Sequence, residues 1–306
     1  MKFKRGLKPV SVQPTLRLAD YYTGDLPSVD SLKFPFGHAD LIQPHMFLND
    51  RIGDCAIAGS IEEVRLANAL RGVTVNFTDQ SAIDNYSAIT GYQPGPEIDN
   101  PYDAPPNPTD QGTDVHELYD YRKNTGLVDA DGNRHTIVAY AGLTVGDFDE
   151  LLIALSLFPS GVGIGIQVPD YCDAQFEAGQ AWHLLPGRHA IEGGHYIPIV
   201  DAGSRTEGGL FTWGGHGGIT APFYRAYNTV AAVALTKEMF TGDVSPTGVD
   251  FARLAADLKL LNTGPVMAKA PRGKRSSTRV SVDGVDQGEP QTGIRPDDAA
   301  PGEPIE

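Results

Sequence analysis

The sequence predicts an α+β protein in which a helical half precedes a β-rich half, and three observations carry that reading. Residues 56–70 contain no proline and distribute Ile57, Ile61, Val64, Leu66, Ala67 and Leu70 around most of a helix, which is therefore expected to be buried on most sides. Beyond Arg134 the apolar residues fall instead into short segments, "TIVAYAGL", "GVGIGIQV", "HYIPIVDAG", "LFTWG" and "VAAVALT", bounded by glycine and proline as mostly antiparallel strands are. The 35 glycines and 23 prolines among 306 residues point to many turns and exclude an all-helical chain.

Taken in order, residues 1–44 lack sustained periodicity and carry prolines, so they are expected as an extended arm lying over the body. Residues 45–134 form a helical lobe. Its first helix begins at Cys55 and is stopped by Gly72; a second spans Asp79 to Thr90; a third runs from Asp114 to Thr125, with Val115, Leu118 and Tyr119 at helical spacing, and ends at Gly126. Between the last two, "QPGPEIDNPYDAPPNPTDQG" reads as an acidic surface loop. Residues 135–242 are the β-rich lobe, interrupted by a helix from Phe148 to Phe158. Residues 243–263 supply a C-terminal amphipathic helix with Phe251, Leu254, Leu258 and Leu261 on one face. Residues 264–306 have no aromatic residue and run from a basic block, "KAPRGKRSSTR", to an acidic end, so they are expected to be a disordered tail and a candidate for docking a protein partner.

The formal charge of -15 repels phosphate backbones and anionic lipid, which argues against nucleic-acid and membrane partners. The opening "MKFKRGLKPVSVQP" lacks the apolar stretch of a secretory signal, and no run reaches the length of a membrane span. A cytoplasmic or virion-associated location is expected. Cys55 and Cys172 are the only thiols, too few for a disulfide framework. Cys172 reads as a small buried residue.

Cys55 opens a helix, where free backbone N–H groups favour a thiolate; Asp54 beside it works in the opposite sense unless its side chain caps the helix. His195 opens the strand "HYIPIVDAG" after two glycines that let a peptide backbone approach closely, and as an imidazolium it would complete an ion pair with Cys55. About 140 residues separate the two, a gap of the kind found between nucleophile and base in papain-type enzymes.

With those residues in place, the chain resembles the papain-like cysteine peptidases over roughly residues 40–236, more in the manner of the bacterial and phage-encoded members. "NDRIGDCAIAG" is similar to the family's nucleophile segment, with Asn49 six positions before the cysteine where the oxyanion glutamine stands. "FTDQSAIDNY", "DQGTDVHELYDYRKNTG", "GGHYIPIVDAG" and "FTWGGHGG" follow in family order. The resemblance implies two lobes, one helical and one an antiparallel β-barrel-like unit, with the active-site cleft between them. It further implies a peptidase that cleaves polypeptide through a Cys55 thioester, with His195 as acid and base, Asn49 as an oxyanion donor and no cofactor. The long inhibitory prosegment and disulfides of plant and lysosomal members are not expected.

One position departs from the pattern: Phe211 stands where the family has the asparagine that orients the histidine. Asp201, His216 or a backbone carbonyl are the candidates for that third role. Two alternatives follow, a papain fold that has lost turnover and serves as a binding or structural protein, and acyl transfer to an amine. A metal site built from His183, His189, His195 and His216 matches no common zinc spacing.

Overall fold

The computed structural model describes residues 3–24, 27–240 and 248–263. The expected tail at 264–306 therefore lies outside the described residues, as does the first part of the C-terminal segment. In chain order the elements are β1 (Phe36–Gly37), α1 (Cys55–Ala69), α2 (Asp79–Thr90), α3 (Val115–Asn124), β2 (Leu127–Val128), β3 (Arg134–His135), β4 (Ala139–Gly142), α4 (Phe148–Leu157) and β5 (Val162–Pro169). Then come α5 (Cys172–Glu177), β6 (Ile191–Ser204), β7 (Glu207–Thr212), β8 (Gly215–Thr220), α6 (Ala221–Tyr227), β9 (Asn228–Leu235), α7 (Lys237–Phe240) and α8 (Phe251–Thr263).

The main sheet has the order β4-β9-β5-β6-β7-β8, with β1 added on β6, and every pairing is antiparallel. The path is open, with no pairing between β4 and β8 among the described residues. Alternation along a strand sends successive side chains to opposite faces, and β9 uses this to build two cores. Val230 and Ala232 enter an apolar cluster with α1, α2 and α3, whereas Ala231, Val233 and Leu235 enter a second cluster with α4 and α6.

The local signals explain the helix ends. Thr78 and Ser81 form a reciprocal capping box at the start of α2, and Gly91, at φ 77°, ends it. Asp114 accepts the first free N–H groups of α3, and Asp147 does the same for α4. The glycine-rich stretch around His216 forms strand β8, paired with β7 through Phe211↔His216.

A buried polar network fixes the strand that carries His195 against α1. Arg122 of α3 donates to Glu63 at 2.7 Å and to Ser60 at 3.2 Å, and Tyr196 donates its phenolic proton to Glu63 at 2.7 Å. The Tyr119 and Tyr196 hydroxyls meet at 3.0 Å. Removing Arg122 or Glu63 would leave the other as an uncompensated buried charge, a loss of about 3–5 kcal/mol.

Candidate active site

The network brings Cys55 and His195 to facing elements. The Tyr196 backbone N–H donates to Cys55 Sγ at 3.4 Å, so the sulfur lies against the residue that follows His195 in β6. Both Cys55 and His195 are fully buried. His195 Nε2 lies 2.7 Å from Thr212 Oγ1, and its ring stacks on Trp213 with centroids 4.7 Å apart. When Nε2–H donates to Thr212, Nδ1 keeps the lone pair that a thiol proton needs; Nδ1 has no hydrogen-bond partner among the described residues.

Thr212 is thus the side chain that meets the imidazole, and sequence reasoning missed it by one position. Phe211 and Thr212 are neighbours on β7 and face opposite ways. Phe211 packs with Leu66 and Val200. Asp201 and His216 do not reach His195. They pair with each other at 2.8 Å across β7, at an exposed position that raises the His216 pKa chiefly through this hydrogen bond. The other histidines are likewise dispersed: His183 meets Gln175 and His189 meets Asp170. Among the described residues no group of three or more His, Cys, Asp or Glu side chains is gathered to hold a metal ion.

Asn49 is buried, and its Oδ1 has no partner among the described residues. It shares a small void with Ala58, Thr212 and Trp213. Its loop passes beneath the Trp213–Gly214 turn, where a Cβ on Gly214 would come within 3.2 Å of the Met46 nitrogen. Phe47, Leu48 and Trp213 all hold positive φ, at 51°, 65° and 46°. These left-handed side-chain-bearing residues sit where the loop and the turn meet, the kind of local strain that gathers at functional sites.

The cleft is filled by the chain's own amino-terminal arm. The Leu7 N–H donates to the Gly194 carbonyl at 3.0 Å, the Thr113 N–H donates to the Gly6 carbonyl at 2.7 Å, and the Lys8 N–H donates to the Thr113 carbonyl at 3.0 Å. Glycines on both sides let the backbone in: a Cβ on Gly112 would lie 2.3 Å from the Gly6 oxygen, and one on Gly194 would lie 2.4 Å from the Leu7 oxygen. Gly6 is itself required, since its own Cβ would meet the Gly53 oxygen at 1.9 Å. Phe3 stacks on Trp213 at 4.3 Å, and Arg5 lies over the same ring at 4.8 Å while pairing with Asp173. The residues expected only to lie over the body, in a chain expected to lack the long inhibitory prosegment of plant and lysosomal members, therefore occupy the groove.

Burial, to which the arm contributes, dominates the electrostatics. Burial pushes the Cys55 thiol from about 9 up to about 12; the Tyr196 and Gly6 amides pull the other way, and Asp54 adds to the rise. The rise corresponds to about 4 kcal/mol against ionisation, more than the roughly 0.3–2 kcal/mol that a helix N-terminus supplies. Burial, then the Arg5 guanidinium, holds the His195 pKa well below its ordinary value. Both shifts favour the neutral thiol and neutral imidazole over the expected thiolate–imidazolium ion pair in this arrangement. Asp54 does not cap α1; both its carboxylate oxygens lack partners among the described residues, and burial followed by the nearby Asp110 raises its pKa well above the usual carboxylate range.

The loop between α2 and α3 contributes more than surface. Asp110 accepts from the Gly53 N–H at 2.9 Å and from Tyr86 at 2.7 Å, which fixes the backbone just before Asp54 and Cys55.

No protein-family model matches the sequence, and no curated protein matches it. Among solved structures, xylellain, a cysteine protease from Xylella fastidiosa, superposes with a TM-score of 0.52 at 12% identity over 77% of this chain and 99% of that chain. The chain has the papain-like cysteine protease fold. The Carica candamarcensis cysteine protease CMS1MS2, solved in complex with E-64, also matches, at 11% identity over 67% of this chain and 99% of that one, with a TM-score of 0.49. In this fold α1 and β6 carry Cys55 and His195 on facing elements. No described helix is long and apolar enough to cross a membrane.

Proposed function

We propose that the protein is a cysteine peptidase of the papain type, held latent in this arrangement by its own residues 3–8. The observation that carries the reading is a peptide backbone seated between Gly112 and Gly194, with its Gly6 amide directed at Cys55. A groove that accepts this backbone accepts a polypeptide substrate.

With the arm withdrawn and the pair hydrated, Cys55 loses its proton to His195 Nδ1, and the thiolate attacks an amide carbonyl carbon. The oxyanion takes hydrogen bonds from the Cys55 backbone N–H and the Asn49 side-chain amide. The C–N bond breaks as the imidazolium returns its proton to the leaving amine, giving a thioester. Neutral His195 then takes a proton from water, whose oxygen attacks the thioester and releases a carboxylic acid and the thiol. Thr212 holds the ring through Nε2 and Trp213 shields it from solvent.

Trapping tests the chemistry. An arm-released protein, full length with Gly6→Val, is mixed with a peptide ester and quenched in acid. The expected result is a mass increase equal to the acyl fragment on Cys55, absent after Cys55→Ala. A protein that binds the ester and forms no adduct supports the second reading, a papain-fold binding module, which the lack of a hydrogen bond between His195 Nδ1 and Cys55 in this arrangement favours.

A further inference from the structure

The walls of the groove are acidic wherever the arm presents a cation. Arg5 is nearly buried and pairs with Asp173, with Glu192 3.7 Å away. Lys4 faces Asp110 at 3.4 Å, and Lys8 faces Glu117 at 3.9 Å. These acids come from four separate elements: α5, β6, the loop after α2, and α3. Asp110 and Asp173 are themselves largely shielded from water while the arm is in place. The Phe3 N–H donates a further hydrogen bond to Asp173 at 3.0 Å.

Withdrawal of the arm removes three positive charges and leaves four carboxylates lining one groove in a chain that already carries a formal charge of -15. A buried carboxylate stripped of its partner is costly, so an incoming chain that restores the cations is selected and one that brings acids is rejected. The backbone contacts are indifferent to sequence, being made by Gly6, Leu7 and Lys8 amides and carbonyls. Discrimination therefore falls to charge, to the aromatic platform at Trp213, and to the close approach at Gly6, which admits no side chain there.

We infer that the groove selects basic polypeptide segments, with Asp173 and Glu192 as the principal charge-reading pair and a glycine preferred where the backbone crosses between Gly53 and Gly112. The inference rests on the groove being the substrate site, and it deepens that reading by naming the substrate class.

The test measures binding without turnover. The full chain is prepared with Lys4→Glu, Arg5→Glu and Lys8→Glu to expel the arm and Cys55→Ala to prevent acylation. Two fluorescent peptides are titrated by anisotropy: one with the sequence of residues 3–10, the other identical except that its three cations are replaced by glutamate. The expected result is binding of the basic peptide at least about tenfold tighter than its acidic twin. That preference falls to within about threefold after Asp173→Asn with Glu192→Gln, and it shrinks in 1 M salt as the partly exposed pairs are screened. Equal binding of the two peptides, no binding of the basic one, or a preference untouched by the carboxamide pair would each overturn the inference. Because the sulfur is absent, a failure here is distinct from a failure to form the thioester, which is read on the Cys55 protein.

Discussion

Cys55 and Cys172 occupy matching places. Each is the first residue of a helix, each is buried, and burial raises the pKa of each. They differ in what covers them. Cys172 belongs to the apolar cluster on the α4 and α6 side of the sheet, and its carbonyl is fixed by the Trp182 indole N–H at 3.0 Å. Cys55 lies under a six-residue arm held by three backbone hydrogen bonds, one aromatic stack and a set of ion pairs. A helix N-terminus alone therefore does not make a reactive thiol; a removable cover beside a histidine distinguishes one cysteine from the other.

The largest expected effect breaks the resemblance between the two thiols. Gly6→Val forces a side chain into the Gly53 carbonyl and expels the arm. If the Cys55 thiol then returns from about 12 to its ordinary value near 9, the thiolate fraction at neutral pH rises about a thousandfold. Alkylation at pH 7, read by mass spectrometry on the two cysteine peptides, is expected to accelerate at Cys55 by at least about a hundredfold and by less than about tenfold at Cys172, whose apolar cluster keeps every member but Phe3 of the arm. Comparable acceleration of both would mean that the variant had loosened the whole core.

A smaller effect sharpens the comparison by removing what orients the histidine. In the arm-released background, Thr212→Ala is expected to slow Cys55 alkylation about tenfold, while Thr212→Ser keeps the Nε2 contact and most of the rate. Phe211→Asn is expected to give no gain, because that side chain lies among Leu66 and Val200, and to cost about 1–3 kcal/mol of stability. A faster Phe211→Asn protein would return the third role to the position that family alignment suggests.

How much of this was legible in the sequence differs by element. The bounds of α2 follow from Thr78, Ser81 and Gly91, all local signals, and α1 opens at Cys55 as its composition suggests. Strand β8 was not legible, because "GHGGIT" has the composition of a turn; its Gly217 is a strand residue that leaves room for Phe176, which would lie 3.1 Å from a Cβ there. Thr212 was hidden because the resemblance of "FTWGGHGG" to the family puts Phe211 in the asparagine's place. The alternation of β7, with an apolar Phe211 and a polar Thr212, was the available clue that only one of them faces the imidazole. The arm showed no periodicity because its hydrogen bonds run to other segments; its "KFKRGLK" run is strongly basic within an acidic chain, a contrast whose reason is visible only once its acidic partners are in place.

The smallest expected effect concerns Asp54. In the unfolded chain it ionises near 3.8, and in the folded chain well above that. A carboxyl whose pKa is raised on folding contributes its full stability below about pH 4, and that contribution is lost as pH rises through the folded value. Asp54→Asn removes this titration. The melting-temperature difference between variant and wild type is expected to be near constant below pH 4 and to grow in favour of the variant toward neutral pH, by about 2–4 °C for each kcal/mol. A difference that does not change with pH would mean that Asp54 is ionised in the folded chain.

Whether the arm masks a working nucleophile is read from steady-state hydrolysis of a basic peptide. Full-length wild type, Gly6→Val and Gly6→Val with Cys55→Ala are compared under one set of conditions at neutral pH. Little turnover is expected of the wild type, with a rise of at least about tenfold on Gly6→Val and loss of that activity with Cys55→Ala. A folded Gly6→Val protein that alkylates rapidly at Cys55 and cleaves no faster than its Cys55→Ala counterpart would show that no working nucleophile lies beneath the arm.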